Sequence, residues 1–147
     1  MVKYIEYEEK FRSQVIDFWI NICVKEFGFK EWKYNIENMD NDTYKQNNGN
    51  FWIAVEDGKV IGTISLKNIG DNEAFLKGMY VQKEYRRKGI SSNLMNILLD
   101  FAKKREYKKI VLETYKKFDR AISFYERLGF VKIEEIGDRY IYQKEIN

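Results

Sequence analysis

The feature that most restricts the fold is a strand pattern between two helical patterns in the second half of the chain. Residues 108–115 read KKIVLETY, and this continuous apolar centre is typical of a parallel strand that is buried on both faces. Apolar residues at three- and four-residue spacings predict a helix at 90–102 before this strand and another at 118–128 after it, stopped by Gly129. Such a strand needs neighbours in a sheet and helices that cover it.

The rest of the chain supplies those neighbours. Asp57-Gly58 lies between apolar runs at 51–56 and 59–67 and predicts a tight β-hairpin, because this dipeptide tolerates the positive φ angles of such turns. The other predicted elements are strands at 2–7, 73–81, 130–136 and 139–145 and a helix at 11–25. We therefore predict an α/β (α+β) fold, a mixed sheet of about seven strands with helices on both faces, in a single domain spanning residues 1–147.

The histidine and cysteine content excludes several kinds of catalysis. The chain has no histidine and one cysteine, so it can form neither a Ser-His-Asp nor a Cys-His site, nor the usual ligand set of a zinc site, and we expect no metal. Cys23 lies in an apolar helical pattern with Trp19 and Phe27, which favours a buried core residue over a nucleophile. Carboxylates, Tyr, Lys, Cys, water or the N-terminus must supply any acid–base chemistry near neutral pH.

Charge and hydropathy give expectations about partners and location. The net charge of +3, from 26 basic and 23 acidic side chains, is too small to indicate a nucleic acid partner. The densest cationic run, 103–109, is interpreted as a solvated helix end. The hydrophobic stretches are short and broken by charge, and no apolar leader follows Met1, so we expect no membrane span, no signal peptide and a cytoplasmic location.

The stretch EYRRKGISSNLM, residues 84–95, combines three consecutive cations with a glycine at the start of a predicted helix. A helix N-terminus presents unpaired backbone N–H groups that bind anions, and Gly89 allows a tight turn and the close approach of a ligand. The alternative is that Ser91 or Ser92 caps an ordinary helix and that the cations at 86–88 are solvated. Neither a P-loop nor a GxGxxG pattern is present.

A wider set of segments follows a definite order: a strand ending in LKGMYV, then EYRRKGIS and a long helix, then a strand, then RAISFYERLGF at 120–130. Together these segments resemble the GNAT superfamily of acyl-CoA-dependent N-acyltransferases. The superfamily motif R/Q-x-x-G-x-G/A is matched by residues 86–91, with Ser91 where glycine or alanine is usual. The resemblance covers about residues 51–136 well and the N-terminal third by its order of elements.

The resemblance implies a binding site for acetyl-CoA. Backbone amides from Arg87 to Ser92 would bind the pyrophosphate of coenzyme A, assisted by the basic side chains, and residues 79–81 would offer backbone groups to the pantetheine and the acyl carbonyl. The strands at 73–81 and 108–115 would splay apart to admit the cofactor. The cofactor-binding residues so implied are Met79, Tyr80, Val81, Arg86, Arg87, Lys88, Gly89, Ile90, Ser91 and Ser92.

The resemblance also implies catalytic residues. Spacing alone favours a core tyrosine at Tyr125, on the apolar face of its helix. The resemblance reverses this preference, because Tyr125, in FYE-x-x-GF, stands where the superfamily commonly carries a tyrosine that protonates the departing thiolate. Phe118 replaces an asparagine that often contacts the cofactor, and Phe75 replaces a glutamate that often acts as a general base. Glu73 shares a strand face with Phe75 and is a candidate base; a water chain, or an amine that is already deprotonated, is an equal alternative.

Three functions are compatible with these features. The leading hypothesis is transfer of an acetyl group from acetyl-CoA to a primary amine, on a small molecule or a peptide, by direct attack. The alternatives are a GNAT-like module that binds acyl-CoA without turnover and a small nucleic-acid-binding domain. Dimerisation through the sheet edge or the C-terminal hairpin is compatible with the sequence, which does not decide it. Residues that could line an amine site, or could equally be ordinary surface, are Glu26, Trp32, Glu37, Asp40 and Asp42.

Overall fold

A seven-stranded mixed sheet is the centre of the fold, in the computed structural model that describes residues 1–38 and 44–146. The strands are β1 (Lys3–Glu6), β2 (Asn50–Glu56), β3 (Lys59–Gly70), β4 (Glu73–Val81), β5 (Lys109–Tyr115), β6 (Val131–Ile136) and β7 (Arg139–Glu145). They lie in the order β1-β2-β3-β4-β5-β7-β6, and only β4 and β5 are parallel. The predicted strands are therefore confirmed.

Helices connect the strands, and three of them lie at the predicted places. They are α1 (Arg12–Trp19), α2 (Lys33–Glu37), α3 (Ile90–Lys104) and α4 (Asp119–Arg127). The helix predicted at 11–25 is confirmed, but its second half, Ile20–Glu26, is π-helical. Such segments are rare and are frequent at functional sites.

Two hydrophobic clusters cover the two faces of the sheet, as predicted. Alternate residues of β2 point to opposite faces, so that Trp52 joins the cluster containing Leu94 of α3 and Tyr125 of α4. Phe51 and Ile53 instead join the cluster built by α1 and the π-helical segment. Helices therefore bury both faces of the central strands.

The parallel pair β4 and β5 is joined at one end only. The register pairs Glu73–Phe75 with Lys109–Val111, and beyond those positions the two strands have no paired residues. β4 also shifts its register against β3 near Gly78, which has a φ of +63° that favours glycine. The splaying that the resemblance implied is thus present, and it opens a gap in the sheet.

Candidate active site

A cavity of about 1280 Å³ occupies the gap between β4 and β5. β4 contributes residues 75–81 to its walls, and β5 contributes Glu113, Thr114 and Tyr115. The start of α3, the helix α4 and the segment between α1 and α2 also contribute to the lining. Its volume is large enough for a cofactor and a second small molecule together.

Most of the residues predicted to bind the cofactor line this cavity. They are Met79, Tyr80, Val81, Arg86, Arg87, Gly89, Ser91 and Ser92. Ile90 does not, because its side chain is buried in the core with 3% exposure. Lys88 also lies outside the lining, with its ammonium 5.6 Å from the centre of the Tyr85 ring.

The start of α3 has the geometry of an anion site. Gly89 is the N-cap residue, with φ +82°, and no side chain caps the helix, so capping by Ser91 or Ser92 is not observed. The first backbone bond of the helix runs from Asn93 N–H to the Gly89 carbonyl, at 3.0 Å. The amides of residues 90–92 precede that bond and have no partner within the helix, which leaves them available to a ligand such as a phosphate.

The Arg86 side chain is directed away from that helix start. Its guanidinium donates to both carboxylate oxygens of Glu26, at 2.5 and 2.8 Å, and its Nε donates to the Val81 carbonyl at 2.9 Å. Arg87 lines the cavity and has no ion pair within the described part of the chain. The predicted cluster of three cations therefore does not face the helix start as a group.

Tyr125 combines burial with an unpaired hydroxyl at the cavity wall. It lies on α4 and is 6% exposed, and its ring packs edge-on against Phe124 and Phe130, both at 5.8 Å. Within residues 1–38 and 44–146, no protein group forms a hydrogen bond with its hydroxyl. Burial raises the pKa of Tyr125 well above that of an exposed tyrosine, so the phenol keeps its proton at neutral pH.

Cys23 and Tyr80 line the same cavity. Cys23 is 2% exposed, as predicted for a core residue, and burial raises the pKa of its thiol to about 11. Its sulfur interacts with the Tyr80 hydroxyl, whose pKa is raised by burial and by this thiol. A neutral, buried thiol is a poor nucleophile, which agrees with direct transfer rather than a covalent acyl-enzyme.

Glu73, the predicted candidate base, does not line the cavity. It lies at the closed end of the strand pair, where Lys109 is its partner in the register and its ammonium is 3.9 Å from the Glu73 carboxylate. Glu113, four residues beyond Lys109 in β5, does line the cavity, and its carboxylate is 3.4 Å from Arg139. The sequence analysis missed Glu113, although a charged residue directly after the continuous apolar centre of β5 was a usable signal.

Aromatic rings from the segment between α1 and α2 pack against Tyr115 and Phe118 at one wall of the cavity. Phe29 stacks between Trp32 and Tyr115, with ring centres at 4.3 and 4.8 Å, and Phe27 contacts Phe118 at 4.9 Å. The substitution of asparagine by Phe118 therefore adds a ring to this wall.

Of the five residues that the sequence offered for an amine site, three lie in the described part of the chain, and one of these three lines the cavity. Trp32 lines the cavity, Glu26 is paired with Arg86, and Glu37 lies outside the lining. Asp40 and Asp42 fall outside the described residues.

Residues 16–130 match the model of the acetyltransferase (GNAT) family. Among curated proteins, the chain is similar to a probable N-acetyltransferase, camello, of Xenopus laevis, with 35% identity over 96 residues that cover 64% of this chain and 44% of that protein. This chain thus spans less than half the length of that relative.

Two solved structures share the fold over nearly the whole chain. An acetyltransferase of the GNAT family from Staphylococcus aureus has a TM-score of 0.89 and 28% identity, with 100% of both chains covered. The PaiA N-acetyltransferase of Thermoplasma acidophilum, solved in complex with coenzyme A, has a TM-score of 0.83 and 23% identity, with 99% of both chains covered. Separately, none of the helices within the described residues combines the length and apolar character needed to cross a membrane.

Proposed function

The chain belongs to the acetyltransferase (GNAT) family, and we propose that it transfers an acetyl group from acetyl-CoA to a primary amine by direct attack. The observation that carries this proposal is that two groups share one cavity. One is the set of amides at the start of α3, which have no partner within the helix, and the other is the buried hydroxyl of Tyr125, which has no hydrogen-bond partner among the described residues. The first group suits a pyrophosphate and the second suits a departing thiolate.

At the phosphate end, the amides of residues 87–92 would hold the pyrophosphate of acetyl-CoA. Gly89 and Arg87 both have positive φ angles, +82° and +65°, and this conformation turns the backbone at the start of α3. A Cβ on Gly89 would have no heavy atom within 4 Å, so the space beside it is open to a ligand. The complex of the Thermoplasma protein with coenzyme A supports this cofactor for the fold.

At the acyl end, the irregular part of β4 would contact the thioester. Met79 lines the cavity and has no partner in the register with either β3 or β5, and it would present its backbone to the acetyl group at the gap. The distortion is held by side chains, because Trp19 Nε1 donates to the Thr63 hydroxyl at 3.0 Å and that hydroxyl donates to the Gly78 carbonyl at 2.6 Å. A backbone N–H at this place would stabilise the negative charge that develops on the thioester oxygen.

Tyr125 would act as the general acid. The amine attacks the acyl carbon, the carbon–sulfur bond breaks, and the Tyr125 hydroxyl gives its proton to the coenzyme A thiolate. Burial keeps Tyr125 protonated until that moment. A thiolate released into the same buried cavity has its own pKa raised by desolvation, and this allows it to take the proton from the phenol. The proton lost by the amine would pass to Glu113, directly or through water.

The choice between the two carboxylates is testable. We expect Glu113→Gln to lower kcat/KM roughly 10-fold at pH 7, because a positioned base contributes at least that much, and Glu73→Gln to stay within about two-fold of the parent. The measurement is initial rate against pH for both variants. Glu73→Gln is a matched control, because both carboxylates are about equally exposed and each has one cationic neighbour. If Glu73→Gln lowered kcat/KM more than Glu113→Gln does, Glu73 would be the base, as predicted from the sequence.

The activity itself is tested by thiol release from acetyl-CoA across a panel of amines. The panel contains small amines, amino acids, aminoglycosides and peptides with free N-termini or lysines, and mass spectrometry identifies the product. We expect release with at least one class, with a gain of 42 Da on the amine, the mass of an acetyl group that replaces hydrogen. A rise of Tm with acetyl-CoA but no release with any amine would instead favour the module that binds acyl-CoA without turnover.

A further inference from the structure

We propose that Glu26 is a positioning residue that fixes the acceptor wall through Arg86. The acceptor wall is defined here as residues 27–36, which contribute Phe27, Trp32, Asn35 and Ile36 to the cavity. The inference rests on the proposed function, because it assigns this wall to the amine side of the transfer.

The contacts of Arg86 tie together two separate parts of the chain. Its two terminal nitrogens bind the two oxygens of Glu26, and its Nε binds the carbonyl at the end of β4, on Val81. Both side chains are under one third exposed, at 28% for Arg86 and 29% for Glu26. Such a bidentate pair has the geometry in which an ion pair contributes to structure, unlike most surface pairs.

The charge of Glu26 favours this role over phosphate binding by Arg86. The hydrogen bond from Arg86 lowers the pKa of Glu26, so this carboxylate stays ionised at neutral pH. An ionised carboxylate beside the guanidinium offsets the charge that a pyrophosphate would meet. The first residue of the R-x-x-G-x-S motif therefore supports the wall, while the backbone that follows it serves the phosphate.

The position of Glu26 in the chain gives the ion pair its effect on the wall. Glu26 ends the π-helical segment, and the wall begins at the next residue, Phe27, above whose ring the Arg86 guanidinium lies at 6.0 Å. The far part of the wall is held to β5 by the stack of Trp32, Phe29 and Tyr115. The wall is thus tethered to the end of β4 through Arg86 and to β5 through this stack, and Glu26 is half of the first tether.

The test is Glu26→Gln, which keeps the size of the side chain and removes its charge. We expect the KM for the amine to rise roughly 3- to 10-fold, while kcat and the acetyl-CoA Kd stay within about two-fold, because only the acceptor side loses its tether. Hydrogen exchange of residues 27–36 should become faster in the same variant. Glu84→Gln is the matched control, since Glu84 is a nearby acid without an ion pair to Arg86, and it should change none of these quantities.

A double-mutant cycle with Arg86→Gln separates this role from a general structural effect. If Glu26 acts through Arg86, adding Glu26→Gln to Arg86→Gln should cause no further rise in KM. An acetyl-CoA Kd that weakens more than the acceptor KM, additive effects, or unchanged exchange of residues 27–36 would each overturn the inference. If no amine releases thiol from the parent protein, the proposed function fails, and the exchange measurement alone decides whether the tether exists.

Discussion

Tyr125→Phe is expected to lower kcat about 100-fold or more and to leave the acetyl-CoA Kd within about two-fold. The substitution removes one hydroxyl that has no protein hydrogen-bond partner in the described structure, so no buried group is left unpaired and the core is little disturbed. The phenyl ring can still pack against Phe124 and Phe130. What is lost is the proton that the departing thiolate needs.

The measurement is steady-state thiol release together with direct binding of acetyl-CoA by calorimetry. Tyr107→Phe is the control, because Tyr107 is also a buried tyrosine, at 4% exposure, but its hydroxyl donates to the Asn48 carbonyl at 2.7 Å and it does not line the cavity. This control should lower Tm more than Tyr125→Phe does and should retain turnover. Equal losses of turnover and affinity in Tyr125→Phe, or no loss of turnover, would contradict the assignment.

Changing the pKa of the leaving thiol provides a second test of the Tyr125→Phe variant. A thiolate with a lower pKa leaves without help from an acid, so an acetyl donor with an aromatic thiol should lose far less rate in Tyr125→Phe than acetyl-CoA does. A core tyrosine with no part in the chemistry would reduce both donors equally. This comparison distinguishes proton donation from a general disturbance of α4.

The fold was predictable because its main strands and helices carry strong local patterns. The apolar centre of β5, the Asp57-Gly58 turn and the stripe of α3 each specify an element from neighbouring residues alone. The resemblance to the superfamily then supplied the gap between β4 and β5, which periodicity alone does not give. The π-helical form of Ile20–Glu26 was not predictable, because its apolar spacings also fit an ordinary α-helix.

The site was predicted less completely, because its side chains pair across long sequence separations. Arg86 and Glu26 are 60 residues apart, and nothing local to either one indicates the partner. The choice between Glu73 and Glu113 likewise depends on where β4 and β5 stop pairing, at Phe75 and Val111. A face-alternation argument places Glu73 on the same side as Phe75 but cannot tell that this end of the pair is closed.

Gly89→Val is expected to come close to abolishing acetyl-CoA binding, with a loss of at least about 100-fold. A β-branched residue at φ +82° is strained by roughly 1–3 kcal/mol, and relief of that strain turns the amides of residues 87–92 away from the phosphate. Each lost hydrogen bond to a charged group adds about 1.5–3 kcal/mol. The measurement is acetyl-CoA Kd by calorimetry, with circular dichroism to show that α3 is retained.

Gly58→Val is the matched control for this prediction. Gly58 lies in the β2–β3 turn with φ +76°, and a Cβ there also meets no heavy atom within 4 Å, so the backbone strain is comparable to that at Gly89. It should lower Tm similarly while acetyl-CoA still binds, because Gly58 is not among the residues that line the cavity. Arg86→Ala should weaken acetyl-CoA binding only modestly, since its guanidinium serves Glu26 and Val81. If Arg86→Ala weakened acetyl-CoA binding more than Gly89→Val does, residues 84–95 (EYRRKGISSNLM) would instead be a basic patch. The side chains of that patch, and not its backbone, would then hold the anion.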